Sequence, residues 1–222
     1  FVHEQRSAVD ESYSLVTGKV SSVRNHYNGL QIELVEIVPS KRKLNINARA
    51  YNDGVAFRYI VPEQGTMNTF GNAFRLTKEN TEFRICKDPF IYAQELPHYQ
   101  SMYESEYFRM SATSISNRGG NAGHTPWDYS LIGLPLLMEV PGVAWMAITE
   151  ADLKGYAQMY LTNAEGGWTS HKLTSRLAPK INRGDCDPPN LAVTGSLPRN
   201  SPWRVLLIGE HPGRLIESTI IT

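Results

Sequence analysis

Leu44-Asn45-Ile46-Asn47-Ala48-Arg49-Ala50-Tyr51-Asn52-Asp53-Gly54-Val55-Ala56-Phe57-Arg58-Tyr59-Ile60-Val61 is the stretch that decides the fold. Leu44, Ile46, Ala48 and Ala50 alternate with Asn45, Asn47, Arg49 and Tyr51, the period of a strand with two unlike faces. Asp53-Gly54 turns the chain. Val55, Phe57, Tyr59 and Val61 then alternate with Ala56, Arg58 and Ile60. Two such runs around a tight turn predict a β-hairpin, closed by Pro62-Glu63-Gln64-Gly65.

The same reading extends outward. Upstream, Tyr13 to Val23 reads as a strand. Asn28-Gly29 reads as a hairpin turn, because a type I′ turn needs positive φ at both central positions. Leu30, Ile32 and Leu34 then mark a strand with one wet face, and Pro39 to Lys43 an exposed basic turn. Downstream, Phe74 to Leu76 and Thr81 to Cys86 are short strands. From Asp88 to Tyr129 the pattern fades into a stretch rich in Tyr, Ser, Asn, Gly and His. A segment this irregular is functional or disordered, and its aromatics favour an ordered one.

Leu131 to Val140, Gly142 to Thr149, Tyr156 to Leu161, Trp168 to Leu177, Trp203 to Ile208 and Leu215 to Ile221 all read as strands. Pro179 to Asn190 reads as a loop. Leu153, Tyr156, Ala157 and Tyr160 alone follow helical spacing, after a Thr149-x-x-Asp152 capping pattern. Gly155 and the β-rich surroundings favour strand, turn, strand instead. Many short strands with frequent turns predict an all-β, antiparallel sandwich with few or no helices. The chain length fits one domain spanning 1–222.

Composition narrows the partners. Acidic and basic residues balance at 22 each, with no block of one sign, so neither a nucleic-acid footprint nor an acidic tail is present. No apolar run approaches the ~20 residues of a membrane helix, and no signal peptide is seen. The first residue is Phe1 rather than Met, which suggests a processed product or an excised fragment. Cys86 and Cys186 form no CxxC pair; they could form one disulfide or be two buried thiols, and two buried thiols are the expectation.

The sequence contains no HExxH, GxGxxG, GxxxxGK[ST] or GxSxG motif. Gly119 to Gly123 reads as a surface loop, and Asp185-Cys186-Asp187 as a polar turn without the further oxygen ligands of a calcium loop. The tyrosines from Tyr92 to Tyr107, with Glu104 and Glu106 among them, have two readings. They could stack on sugar rings while the carboxylates accept hydroxyls, or they could plug one end of a sandwich. Glu150 ends the apolar run from Val143. It reads as a turn residue, a capping acceptor or a hard-cation ligand, and one carboxylate cannot by itself build a site of six to eight oxygens.

Several motifs stand in one order along the chain. Arg49 to Tyr59, Tyr103-Glu104-x-x-Tyr107, Thr149-Glu150-Ala151-Asp152-Leu153, Ser201-Pro202-Trp203-Arg204-Val205 and Pro212 to Ser218 together resemble the N-terminal domain of glycoside hydrolase family 97. The resemblance implies a galactose-mutarotase-like β-super-sandwich. It also implies a downstream catalytic (β/α)₈ barrel and a small C-terminal β domain, and that this chain lacks the first strands of its own domain. It implies α-glucosidase or α-galactosidase activity in the parent protein, with calcium as cofactor and Glu150 as one calcium ligand. It implies periplasmic or secreted location in a bacterium. The expected partners are the barrel of the same polypeptide and an oligosaccharide, with no nucleic acid and no membrane.

On this reading no catalytic residue lies in the chain, since glycoside hydrolysis needs a correctly spaced carboxyl pair. Tyr103, Glu104 and Tyr107 are candidates for a sugar-cleft wall. A stand-alone carbohydrate-binding sandwich and a purely structural domain remain the alternatives.

Overall fold

The computed structural model describes residues 1–64, 73–96, 99, 101–115, 131–163, 171–180 and 191–221. Gly119 to Gly123 and Asp185-Cys186-Asp187 lie outside them. In chain order the strands are β1 (His3–Ser14), β2 (Ser22–Val35), β3 (Lys43–Tyr51), β4 (Gly54–Val61), β5 (Ala73–Leu76), β6 (Glu82–Arg84), β7 (Phe90–Ala93), β8 (Glu95–Leu96), β9 (Phe108–Ser111), β10 (Leu131–Ile132), β11 (Leu136–Val140), β12 (Ala144–Ala151), β13 (Met159–Asn163), β14 (Lys172–Leu177), β15 (Val193–Ser196), β16 (Arg199–Asn200) and β17 (Trp203–Gly209). One short helix follows, α1 (Pro212–Glu217). The expected all-β, antiparallel fold is what forms.

The chain divides into two compact units: Phe1–Phe74 with Glu150–Lys154 and Gly195–Thr222, and Arg75–Thr149 with Gly155–Thr194. In the first, β1 to β4 form an antiparallel meander, with β17 and β16 both pairing β4. The deciding hairpin forms, with Ala48 opposite Phe57, but its two-residue turn is Asn52-Asp53 rather than Asp53-Gly54, and Gly54 opens β4 opposite Tyr51.

Asn28-Gly29, however, is no turn. β2 runs straight through it, pairing Asn28 with Ala8 and Gly29 with Ser7. The Ser7 hydroxyl occupies the space that a Cβ on Gly29 would take. The real connection from β1 to β2 covers residues 15–21, where a continuous strand was expected. Nearly every residue of β1 is exposed, and its charged side chains suit an unpaired edge.

The second unit holds a five-stranded sheet in the order β6-β14-β13-β10-β8, and a separate run of pairings β11-β7-β9. β13 lies inside the five-stranded sheet and is buried along its whole length. Ile91, Leu96, Ile132, Leu136, Met138, Ile148, Met159, Leu161 and Leu173 are essentially inaccessible to solvent and form its core.

Three further expectations change. β7, β8 and β9 are ordered strands inside the stretch where the pattern fades. The predicted last strand from Leu215 is instead α1, begun by Pro212 in the first turn, where its missing N–H costs nothing. Cys86 is an exposed free thiol rather than a buried one. The strand-turn-strand reading after Thr149 holds: β12 ends at Ala151 and the turn places Asp152 at φ 59° and Gly155 at φ 58°. Asp tolerates that left-handed conformation better than most residues.

Candidate functional site

Glu150 lies in the last turn-ward part of β12, inside the first unit. Its side chain is 9% exposed, and Oε2 accepts a hydrogen bond from Arg204 Nη1 at 2.6 Å. Arg204 is wholly buried. It comes from β17, whose register sets Arg204 opposite Phe57. A guanidinium cannot shed its proton in a protein, so a buried one requires an acid beside it. Glu150 is therefore first of all the counter-ion of Arg204. This role was missed by sequence reasoning, although a signal was present: one arginine stands in the otherwise apolar run Trp203 to Ile208.

The donor chemistry of Glu150 suits a hard cation, and the Arg204 bond fixes the orientation of its carboxylate. Among the described residues no group of three or more His, Cys, Asp or Glu side chains is placed to hold a metal. In this structure the Glu150 carboxylate is engaged by Arg204.

The other candidates belong to the second unit. Tyr103, Glu104 and Tyr107 share an exposed segment between β8 and β9. Gln94 anchors it by donating from Nε2 to the Ser105 carbonyl at 2.8 Å, and the Gln94 carbonyl accepts from Gly133 N–H at 3.0 Å. The Tyr103 hydroxyl donates to the Tyr160 hydroxyl at 2.6 Å and accepts from Gln158 Nε2 at 2.9 Å. Tyr160 is buried with Leu96 and Leu131, and Tyr99 meets it edge-on at 5.4 Å. Burial pushes the Tyr99 phenol up, with Arg176 opposing. Tyr103 is pinned at its polar end, so its ring is what it can offer a ligand. Tyr107 is more than half exposed and Glu104 is exposed. The anchors Gln94, Gln158 and Tyr160 carry no spacing relation to Tyr103 that a sequence shows.

The sequence model of a family described as Glycosyl-hydrolase 97 N-terminal matches residues 1–222. A retaining alpha-galactosidase of Bacteroides thetaiotaomicron is 27% identical over 215 residues, covering 91% of this chain and 30% of the relative. A glycoside hydrolase family 97 enzyme from Pseudoalteromonas sp. strain K8, solved with acarbose, is similar in fold at TM-score 0.74 and 22% identity, over 99% of this chain and 29% of that one. A beta-arabinopyranosidase is similar at TM-score 0.77 and 22% identity, over 99% of this chain and 33% of that one. The chain thus spans about a third of the length of the proteins it matches.

Proposed function

The chain belongs to the glycosyl-hydrolase 97 N-terminal family, and from that premise we propose that it serves a longer α-glycosidase as a non-catalytic domain. In this reading it packs on a catalytic barrel of the same polypeptide, walls the sugar cleft with the Tyr103–Tyr107 segment, and contributes Glu150 to a calcium site. The observation that carries the reading is the Glu150–Arg204 pair: a carboxylate nine-tenths buried and oriented by a wholly buried guanidinium. Such a group is held in place before any cation arrives. Calcium, when bound, would supply charge stabilisation and a template for the scissile region. Arg204 fixes the carboxylate, and the remaining ligands would come from outside this chain. Tyr103 presents a ring face whose hydroxyl is already committed, a surface suited to the apolar face of a sugar.

A thermal shift in the full polypeptide tests the metal role. Calcium is expected to raise the melting temperature of the parent protein and not that of Glu150→Gln. The comparison is made within each variant, so the stability lost by disturbing Arg204 cancels. An equal calcium shift in both proteins would remove Glu150 from the site.

A further inference from the structure

The first unit also carries a cationic cluster that neither Glu150 nor the calcium reading uses. Asn47 pairs with Arg58 and Arg49 with Ala56, so Arg49 and Arg58 lie on one face of the β3–β4 hairpin as diagonal neighbours. Val205 pairs with Ala56, and Trp203, two residues away on β17, shares that face. The Arg49 guanidinium carbon stands 4.3 Å from the Trp203 ring centroid and 4.5 Å from that of Tyr27. Arg58 stands 4.5 Å from the same indole. Two arginines therefore converge on one tryptophan.

Their negative charge is short. Asp152 is 3.8 Å from Arg58 but 2.7 Å from Lys154, so this carboxylate is shared between two cations, and neither pair includes Arg49. The polar contact of Arg49 is the Tyr51 hydroxyl at 3.5 Å. Arg58 Nε is buried without a hydrogen-bond partner among the described residues. Burial, and then the like charge of Arg49, push the Arg58 pKa down, although a guanidinium keeps its charge. Elsewhere in the same unit the equivalent need is met, by Glu150 for Arg204 at 2.6 Å and by Asp10 for Arg24 at 2.6 Å. Beside the cluster opens a cavity of about 430 Å³, lined by Arg49, Trp203, Asp152, Lys154, Ile220 and Ile221 among others. Ile221, and Leu153 next to Asp152 and Lys154, are each nearly half exposed.

We propose that this face docks an acidic segment of the remaining polypeptide, seating its carboxylate against Arg49 and Arg58 beside Trp203. The inference rests on the reading of the chain as one domain of a longer enzyme, and names the surface and the chemistry by which it is held there. A carboxylate completes the charge balance, since two guanidiniums stripped partly of water gain most from a charged acceptor. A peptide segment is favoured over a free inorganic anion because the apolar rim needs covering too. Ile221 on the cavity wall stays wet around a small ion and is buried by neighbouring side chains of a segment.

Carbodiimide coupling tests this, because it joins an amine to a carboxylate in direct contact. Arg49→Lys and Arg58→Lys keep the charge and place a reactive amine in the cluster. In the full polypeptide, peptide mapping of the coupled variants is expected to find a cross-link from position 49 or 58 to an Asp or Glu beyond residue 222. Its yield should fall as sodium chloride is raised. Coupling to Asp152 alone, while other lysines of residues 1–222 still cross-link to the rest of the polypeptide, overturns the docking surface and leaves the packing reading standing. An absence of any cross-link from residues 1–222 to the rest overturns both. If acetate or sulfate stabilises the parent protein but not Arg58→Gln, and no cross-link forms, the cavity is a small-anion site and the proposal fails.

Discussion

The Glu150–Arg204 pair and the Tyr103–Tyr107 segment were both singled out as functional, yet they are built in opposite ways. The first is an ion pair sealed in its unit, with one partner at 0% exposure and the other at 9%. The second is a surface segment in which Tyr103, Glu104 and Tyr107 all face solvent, tied down by one tyrosine hydroxyl and one backbone carbonyl. A buried functional carboxylate cannot be altered without disturbing the fold that orients it. An exposed aromatic can. The two regions should therefore give different mutational signatures: stability and ligand response fall together at Glu150, and come apart along the Tyr103 segment.

The largest expected effect breaks the buried pair. Glu150→Ala takes the acid from beside the wholly buried Arg204 guanidinium, and removing one partner of such a pair costs about 3–5 kcal/mol. Chemical denaturation of the full polypeptide measures it. The double variant Glu150→Gln/Arg204→Met should recover much of that loss, because both charges leave together. A single-variant cost under about 1 kcal/mol, the range of exposed pairs, would show that water enters the site and would erase the contrast with the surface segment.

An intermediate effect comes from the hydroxyl anchor of the exposed region. Tyr103→Phe removes the donor to Tyr160 and the acceptor for Gln158, and is expected to cost about 1 kcal/mol. Tyr160 is only 3% exposed, so its hydroxyl loses a partner that solvent replaces poorly. If Tyr103→Phe is neutral in unfolding experiments, the Tyr103 hydroxyl does not hold the segment.

What the sequence disclosed follows the same division. The β3–β4 hairpin was legible because strict alternation and a short connection are local signals, although the turn falls one residue earlier than Asp53-Gly54, with Tyr51 opposite Gly54. Asn28-Gly29 carried an equally local signal that was wrong. Its glycine pairs with Ser7 on a strand some twenty residues earlier, and pairing across that distance is not written in a dipeptide. β7, β8 and β9 were illegible for a related reason: they are two to four residues long, too short to show a period, and their neighbours set them. α1 was mistaken for a strand because Leu215, Ile216, Ile220 and Ile221 favour β structure, while Pro212 at the first turn decided for a helix. At the site, Glu150 was visible by its motif. Arg204 showed only as a charge in an apolar strand, and the Tyr160 anchor of Tyr103 not at all.

The smallest expected effects sharpen the comparison most. Glu104→Gln and Tyr107→Ala change side chains that the structure leaves in solvent, so each should alter stability by no more than about 0.5 kcal/mol. That neutrality makes them clean probes of the cleft-wall proposal. In the full enzyme, stacking on a sugar ring predicts that Tyr107→Ala raises KM for an oligosaccharide several-fold with kcat little changed, since an interaction present equally in ground and transition states is uniform binding. Glu104→Gln should do the same more weakly, because an amide still accepts a hydroxyl hydrogen bond. Unchanged KM and kcat in both variants would take the segment out of the cleft. The exposure of Tyr107 would then be ordinary surface, and the functional weight of the chain would rest on its buried carboxylate.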